Sequence, residues 1–348
     1  MILPQSYIGT LLLLIVSMLC WGSWVNTFKM TGSKWRFELF YFDYSVGVML
    51  AAAIYAFTFG SLGFDGFQFT DDLLQTGKRN IGFALGAGII FNLANMLLVA
   101  AVSVAGISVA FPTGIGLALV VGVIWNYFIT RVGNPVFLFV GAALVILAIV
   151  LSVLAYRAQE RARLEVQAKA GLLKTSRPKV SMLGLVLSVV SGVLMGSCFP
   201  LVEMGKTHGA GMGPYAIGFA FALGVFLSTF VFNLFFMNLP VRGEPIEIRD
   251  YFLAGSLKRH ALGLLGGVIW FSGTLANFVA ASAENNAKVG SAVAYALGQG
   301  AAMVAVIWGL VLWKEFSGSD IRVKTLLTAM FVLFLCGLGT VSIATLIP

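Results

Sequence analysis

Amide side chains recur inside the apolar runs of this chain. Asn92 and Asn95 lie three residues apart and Tyr295 and Gln299 four apart, so each pair shares one face of a helix. Ser272, Thr274 and Asn277 form a third polar group. Amides offer both donors and acceptors, and polar groups that persist in hydrocarbon line a cavity or bridge helices. The chemistry suits a neutral solute with many hydroxyls or a urea-like group. Interhelical bonding is the competing role, above all for Asn92 and Asn277. Trp24, Phe91 and Trp270 add aromatic faces on which sugars and planar ureides pack. Trp21, Trp125, Trp308 and Trp313 fall nearer helix ends, where an interfacial belt is expected.

Carboxylates bear on energy coupling, because a carboxyl group buried in low dielectric can hold a proton at neutral pH. Asp43 and Glu203 are the proton-coupling candidates. Each has a competing role as half of an ion pair, Asp43 with Lys29, Lys34 or Arg36 and Glu203 with Lys206. Glu284 is expected to be exposed, and Glu315 to be structural. Other chemistries lack their residues. His208 and His260 stand without metal-ligand company, and no Ser/His/Asp or metalloprotease pattern appears. Gly205-Lys206-Thr207 matches the end of a phosphate-binding loop, but Pro200 stands where its first glycine belongs, so the motif fails and nucleotide-driven pumping is not expected. No cofactor, metal or enzymatic activity is expected, and no filter sequence suggests a channel.

These residues are carried on elements that composition assigns to a membrane. Of the 348 residues, 59% are hydrophobic and only 10% charged, and mean hydropathy is +0.96. A soluble domain carries about a quarter charged residues. Apolar runs read as ten helices at roughly 7–28, 39–60, 80–102, 106–129, 135–156, 182–204, 212–238, 260–283, 288–313 and 323–346, each long enough for about 30 Å of hydrocarbon. No strand alternation competes. The net charge of +8 sits in loops and therefore speaks of topology and lipid headgroups, not nucleic acid. Seventeen of the 22 basic residues fall in the odd-numbered loops, which places those loops in the cytoplasm and both termini outside. Cys20, Cys198 and Cys336 all lie in apolar runs, as packed small hydrophobes and not a disulfide framework. Nothing basic precedes the first apolar run, so no cleavable signal peptide of the usual form is expected.

Two stretches echo each other. Gly106-Ile107-Ser108-Val109-Ala110-Phe111 leads to Val123-Ile124-Trp125, and Gly290-Ser291-Ala292-Val293-Ala294-Tyr295 leads to Val306-Ile307-Trp308. Leu93-Ala94-Asn95 is likewise matched by Leu275-Ala276-Asn277. Such a repeat divides the chain into a first five-helix half at 1–157, a cytoplasmic linker at 158–181 and a second five-helix half at 182–348. Five is odd, so the second half enters the membrane upside down. The fold class is therefore all-α integral membrane, ten transmembrane helices in two inverted five-helix repeats, with a solute site between the halves near the midplane. Such a unit can enclose a site as a monomer or a homodimer.

The pattern resembles the drug/metabolite transporter superfamily, and within it the plant-type ureide permeases and, more loosely, bacterial glucose/ribose and rhamnose porters. The likeness is carried by Gly22-Ser23-Trp24, Phe42-Asp43-Tyr44, Asn95, Asn126-Tyr127-Phe128, Cys198-Phe199-Pro200, Phe232-Asn233, Gln299 and Glu315, in that order along nearly the whole chain. The chain departs from the ureide permeases in a short central linker and in the added segment Glu284–Lys288. The resemblance implies uptake of a small polar organic solute coupled to protons, with ureides or nucleobase breakdown products such as allantoin first and sugars second. Export of drugs or metabolites is the remaining transport alternative.

Overall fold

In the computed structural model, ten helices among the described residues are long and apolar enough to cross a membrane. They are, as spans one to ten, Tyr7–Met30, Phe37–Phe57, Lys78–Ala105, Thr113–Thr130, Pro135–Ala162, Met182–Lys206, Pro214–Asn238, Leu257–Ala281, Asn285–Val311 and Ile321–Ile343. The structure describes residues 1–32, 35–105, 107–169, 182–207, 211–241, 243–344 and 346–347. Lys34, Gly106, the side chains of Ile107, Ser108 and Val109, His208, Arg242 and the linker beyond Lys169 lie outside them. No strand occurs among the described residues. The chain is an all-helical, multi-pass integral membrane protein.

Local chemistry sets several helix starts. Ser6, Ser256 and Asp320 each accept a backbone N–H three residues on, at Gly9, Arg259 and Val323, which satisfies a donor that the first turn leaves open. The fifth helix does not stop where its apolar run ends. It continues from Pro135 to Lys169, taking in the first part of the expected linker. That stretch is rich in Ala, Arg, Glu and Gln, all strong helix formers, and holds no Gly or Pro.

Two spans are interrupted. Span one divides at Trp24 into Tyr7–Ser23 and Val25–Met30. Span nine divides into Ser291–Gly298 and Ala301–Val311. At that break the Gln299 N–H donates to the Ala296 carbonyl (3.2 Å) and the Gly300 N–H to the Leu297 carbonyl (3.0 Å). This is the tighter three-residue pattern that, in mid-helix, marks a hinge. Discontinuous helices of this kind build the binding sites of many two-half transporters.

The packing pairs span two with eight, three with seven, three with six, one with eight, four with six and one with nine; spans two and seven, four and nine, and five and ten also meet. Exchanging each span with the one five places away maps this set onto itself. The principal contacts are consistent with an inverted duplication. Four glycines hold the closest of these crossings. A Cβ at Gly47 would run into the Leu264 carbonyl, and one at Gly267 into the Tyr44 carbonyl. One at Gly88 would meet the Phe221 carbonyl and one at Gly224 the Leu85 carbonyl. Small residues at such crossings let membrane helices approach backbone to backbone.

Candidate functional site

The three aromatic residues singled out from the sequence converge. Trp270 of span eight stacks on Phe91 of span three, ring centroids 4.6 Å apart. Tyr44 of span two lies 6.0 Å from Trp270 and 5.0 Å from Trp24 at the break in span one. Phe221 of span seven stacks behind Trp270 at 6.2 Å. Side chains from both halves thus form one aromatic seam between spans one, two, three, seven and eight. Tyr44 is fully buried there, and its hydroxyl has no hydrogen-bond partner among the described residues. A buried polar group left unpaired calls for an explanation, and a bound solute would supply one.

The amides divide into two kinds. Asn95 borders the seam. Its Nδ2 donates to the Tyr41 hydroxyl at 3.0 Å, and Tyr41 stacks on Tyr44 at 4.9 Å. The Asn95 side-chain carbonyl makes no bond among the described residues. Gln299 is half-buried at the break in span nine, and its amide likewise makes none. These two keep free hydrogen-bonding capacity, as do the buried side-chain carbonyls of Asn92 and Asn277, which have no partner among the described residues.

The others spend their donors on packing. Asn92 is fully buried and donates to the Val225 carbonyl, Ser228 Oγ and Thr229 Oγ1 of span seven at 3.2, 2.8 and 3.1 Å. Asn277 ties span eight to nine and one, donating to the Ala294 carbonyl (3.0 Å) and to Ser17 Oγ (3.4 Å). The Tyr295 hydroxyl donates to the Ala118 carbonyl of span four at 3.2 Å. Thr274 accepts from Trp21 Nε1 at 3.0 Å and donates to the Trp270 carbonyl. These residues bond between helices around the seam. A donor facing a neighbouring helix here finds a carbonyl or hydroxyl within reach.

The carboxylates sit at opposite ends of the bundle. Asp43 accepts from the Tyr251 hydroxyl at 2.5 Å, and its other oxygen lies 2.9 Å from His260 Nδ1. Neither Lys29 nor Arg36 is its partner: Lys29 pairs with Glu315 and Arg36 with Glu38. Tyr251 belongs to the short helix Ile248–Leu253 between spans seven and eight. Burial, then the hydrogen bond to Asp43 and its charge, push the Tyr251 phenol well above its ordinary range, so it stays a hydroxyl donor. Glu203, at the other end, accepts from Ser291 Oγ at 2.5 Å and pairs with Lys206 at 2.9 Å, and Lys206 also reaches the Ala281 carbonyl. This cluster joins spans six, eight and nine. Glu284 is exposed, as expected, and Glu315 joins Lys29 to Tyr156.

Several residues of the site were not expected. His260 reads as an isolated loop histidine, yet it stands in the first turn of span eight against Asp43. Trp21 belongs to the interior and not to a belt, 5.8 Å from Phe199. Its spacing of three from Trp24 is a signal of a shared face that was available. Tyr41 and Tyr44 carry the same spacing on span two. Cys336 is exposed, not packed.

A protein-family model described as ureide permease matches residues 40–176. Ureide permease 1 of Arabidopsis thaliana is 24% identical over 394 residues, covering 96% of this chain and 96% of that one. Ureide permease 2 of the same plant is 24% identical at the same coverage. A probable ureide permease A3 of Vigna unguiculata is 28% identical over 43% of this chain and 41% of its own. One solved crystal structure superposes with a TM-score of 0.60, covering 96% of each chain at 13% identity, a likeness of fold alone. The relatives' names are those of transporters and not of enzymes, and over nearly its whole length this chain is similar to the ureide permeases.

Proposed function

We propose that this chain is a secondary transporter that takes up a ureide-type solute by alternating access, coupled to protons through Asp43. The carrying observation is the seam itself: the free Asn95 carbonyl and the unpartnered Tyr44 hydroxyl stand in a seam formed by the stacked rings of Phe91 and Trp270 and the tilted ring of Trp24. A ureide is planar and carries both N–H donors and carbonyl acceptors. Its plane packs on the rings, its N–H groups reach Asn95, and its carbonyls accept from Tyr44 or from Gln299. The similarity to proteins named ureide permeases supports the same substrate class. The two halves, 1–157 and 182–348, then rock about this site as inverted repeats.

Positive-inside topology puts the Asp43–His260–Tyr251 cluster at the cytoplasmic end, the Glu203–Ser291–Lys206 cluster at the outer end, and both termini outside the plasma membrane. In this reading each cluster ties its end of the bundle shut. A proton on Asp43 removes the negative charge that faces His260 and Tyr251, which loosens the inner tie. Spans two and eight then part toward the cytoplasm.

The test is uptake of labelled allantoin into proteoliposomes under an imposed pH gradient, alongside thermal-shift measurements with allantoin, uracil, glucose, ribose and rhamnose. Allantoin or uracil should stabilise the protein and be accumulated. A response to sugars alone would move the substrate class to sugars. Failure of all five would overturn the uptake reading.

A further inference from the structure

Span five and span ten pack along each other at one side of the bundle. Between their polar ends lies an open groove of about 350 Å³ whose walls include Arg157, Arg161 and Arg322. The site is separate from the seam and does not depend on what is transported.

Sequence and fold both create it. Arg157 and Arg161 stand four apart on the helix Pro135–Lys169, hence on one face. Ala158 and Ala162 beside them are too small to fill the space against span ten. Arg322 is the second residue of span ten. The three guanidinium groups line the same groove, yet none is paired with a carboxylate among the described residues. Two acids also line it. Asp320 is engaged with the Val323 N–H as a helix cap (2.9 Å), and Glu165 lies a further turn beyond Arg161, away from the apolar run.

The level of the groove decides what fits. Residues 135–156 hold no charge, and Arg157 is the first after them; from Thr325 to Pro348 there is again none. Both arginine-bearing ends therefore stand where the hydrocarbon gives way to headgroups, and Leu154 and Leu326 form an apolar floor. Three guanidinium forks brought together repel one another unless an anion lies between them. Their planar geometry matches phosphate oxygens in pairs. Basic pockets between membrane helices are suited to anionic headgroups, whose acyl chains can lie along the exposed apolar faces below.

We propose that this groove binds the phosphate of an anionic glycerophospholipid, with its chains against spans five and ten. The test uses full-length protein in detergent, titrated with phosphatidylglycerol and followed by thermal shift and by native mass spectrometry. Wild type should gain stability and retain lipid. The variant Arg157→Gln with Arg322→Gln should bind about tenfold more weakly, and Arg161→Gln alone should bind more weakly than wild type. Arg249→Gln with Lys258→Gln, which removes the same charge from exposed positions elsewhere, should bind as wild type does. Unchanged binding in both groove variants would overturn the proposal. So would an equal loss in the charge control, an equal response to phosphatidylethanolamine, or saturation of the effect by inorganic phosphate alone.

Discussion

His260 Nδ1 lies 2.9 Å from Asp43 Oδ2, although 217 residues separate them in sequence. The contact joins the two halves of the chain, and the Tyr251 hydroxyl completes it on the other carboxyl oxygen. Trp35 packs edge-on to the His260 ring at 5.7 Å, and the Arg259 guanidinium covers Trp35 at 5.3 Å. A charge change at Asp43 is therefore felt at once on spans two and eight and on the short helix between seven and eight. If Asp43 carries the coupled proton, Asp43→Asn abolishes gradient-driven uptake in proteoliposomes but spares solute exchange. His260→Gln and Tyr251→Phe leave driven uptake measurable with a shifted pH profile. Driven uptake persisting in Asp43→Asn would reject this role.

Two classes of amide separate by two measurements. Gln299→Ala removes a free hydrogen-bonding group, so solute affinity falls about tenfold while the melting temperature holds. Asn95→Ala also strips the buried Tyr41 hydroxyl of its donor, so affinity falls about tenfold and stability by about 1–3 kcal/mol. Asn92→Ala and Asn277→Ala break ties between helices and lower stability by about 0.5–2 kcal/mol, with little direct effect on affinity. The opposite pattern, with Asn92→Ala losing affinity at full stability, would return Asn92 to the solute.

Tyr44→Phe tests the unpartnered hydroxyl. Deleting a buried group that bonds nothing leaves stability unchanged or higher. If the solute is its partner, affinity falls by about tenfold all the same. Equal affinity in wild type and variant would mean that the hydroxyl never meets the solute.

Gly267→Ala forces a methyl into the Tyr44 carbonyl at the crossing of spans two and eight. Overpacking of this kind costs about 1–3 kcal/mol, read as a lower midpoint of unfolding. Gly82→Ala, where a Cβ meets open space, is the matched control and should not fall.

Asp72 gives a pH dependence outside the spans. Its Oδ2 accepts the Gly213 N–H at 2.8 Å. Burial pushes its carboxyl above the usual range, and that hydrogen bond only partly opposes the shift. The folded state thus holds its proton to a higher pH than the unfolded state does. The stabilising effect is complete below the ordinary carboxylate range and is lost as pH rises through the raised value. Asp72→Asn keeps the acceptor and removes the ionisation. Its melting temperature should equal or exceed that of wild type at pH 7, with the difference shrinking toward pH 4. A wild-type advantage that grows with pH would contradict the assignment.

The order of residues by itself determined the ten spans and the aromatic set Trp24, Phe91 and Trp270, which the structure brings together. Apolar runs must match the thickness of hydrocarbon, and that constraint acts on contiguous sequence. Asn92 and Asn95 look equivalent along the chain, three residues apart on one helix. Only the neighbours across the helix surface tell them apart: Asn92 donates to span seven, while Asn95 donates to the Tyr41 hydroxyl beside the aromatic seam. His260 was illegible for the same reason, since its partner lies in the other half of the chain. The hydrogen bonds that distinguish these residues are made between helices, and which helices meet is decided by packing, above all where glycines allow backbone to touch backbone.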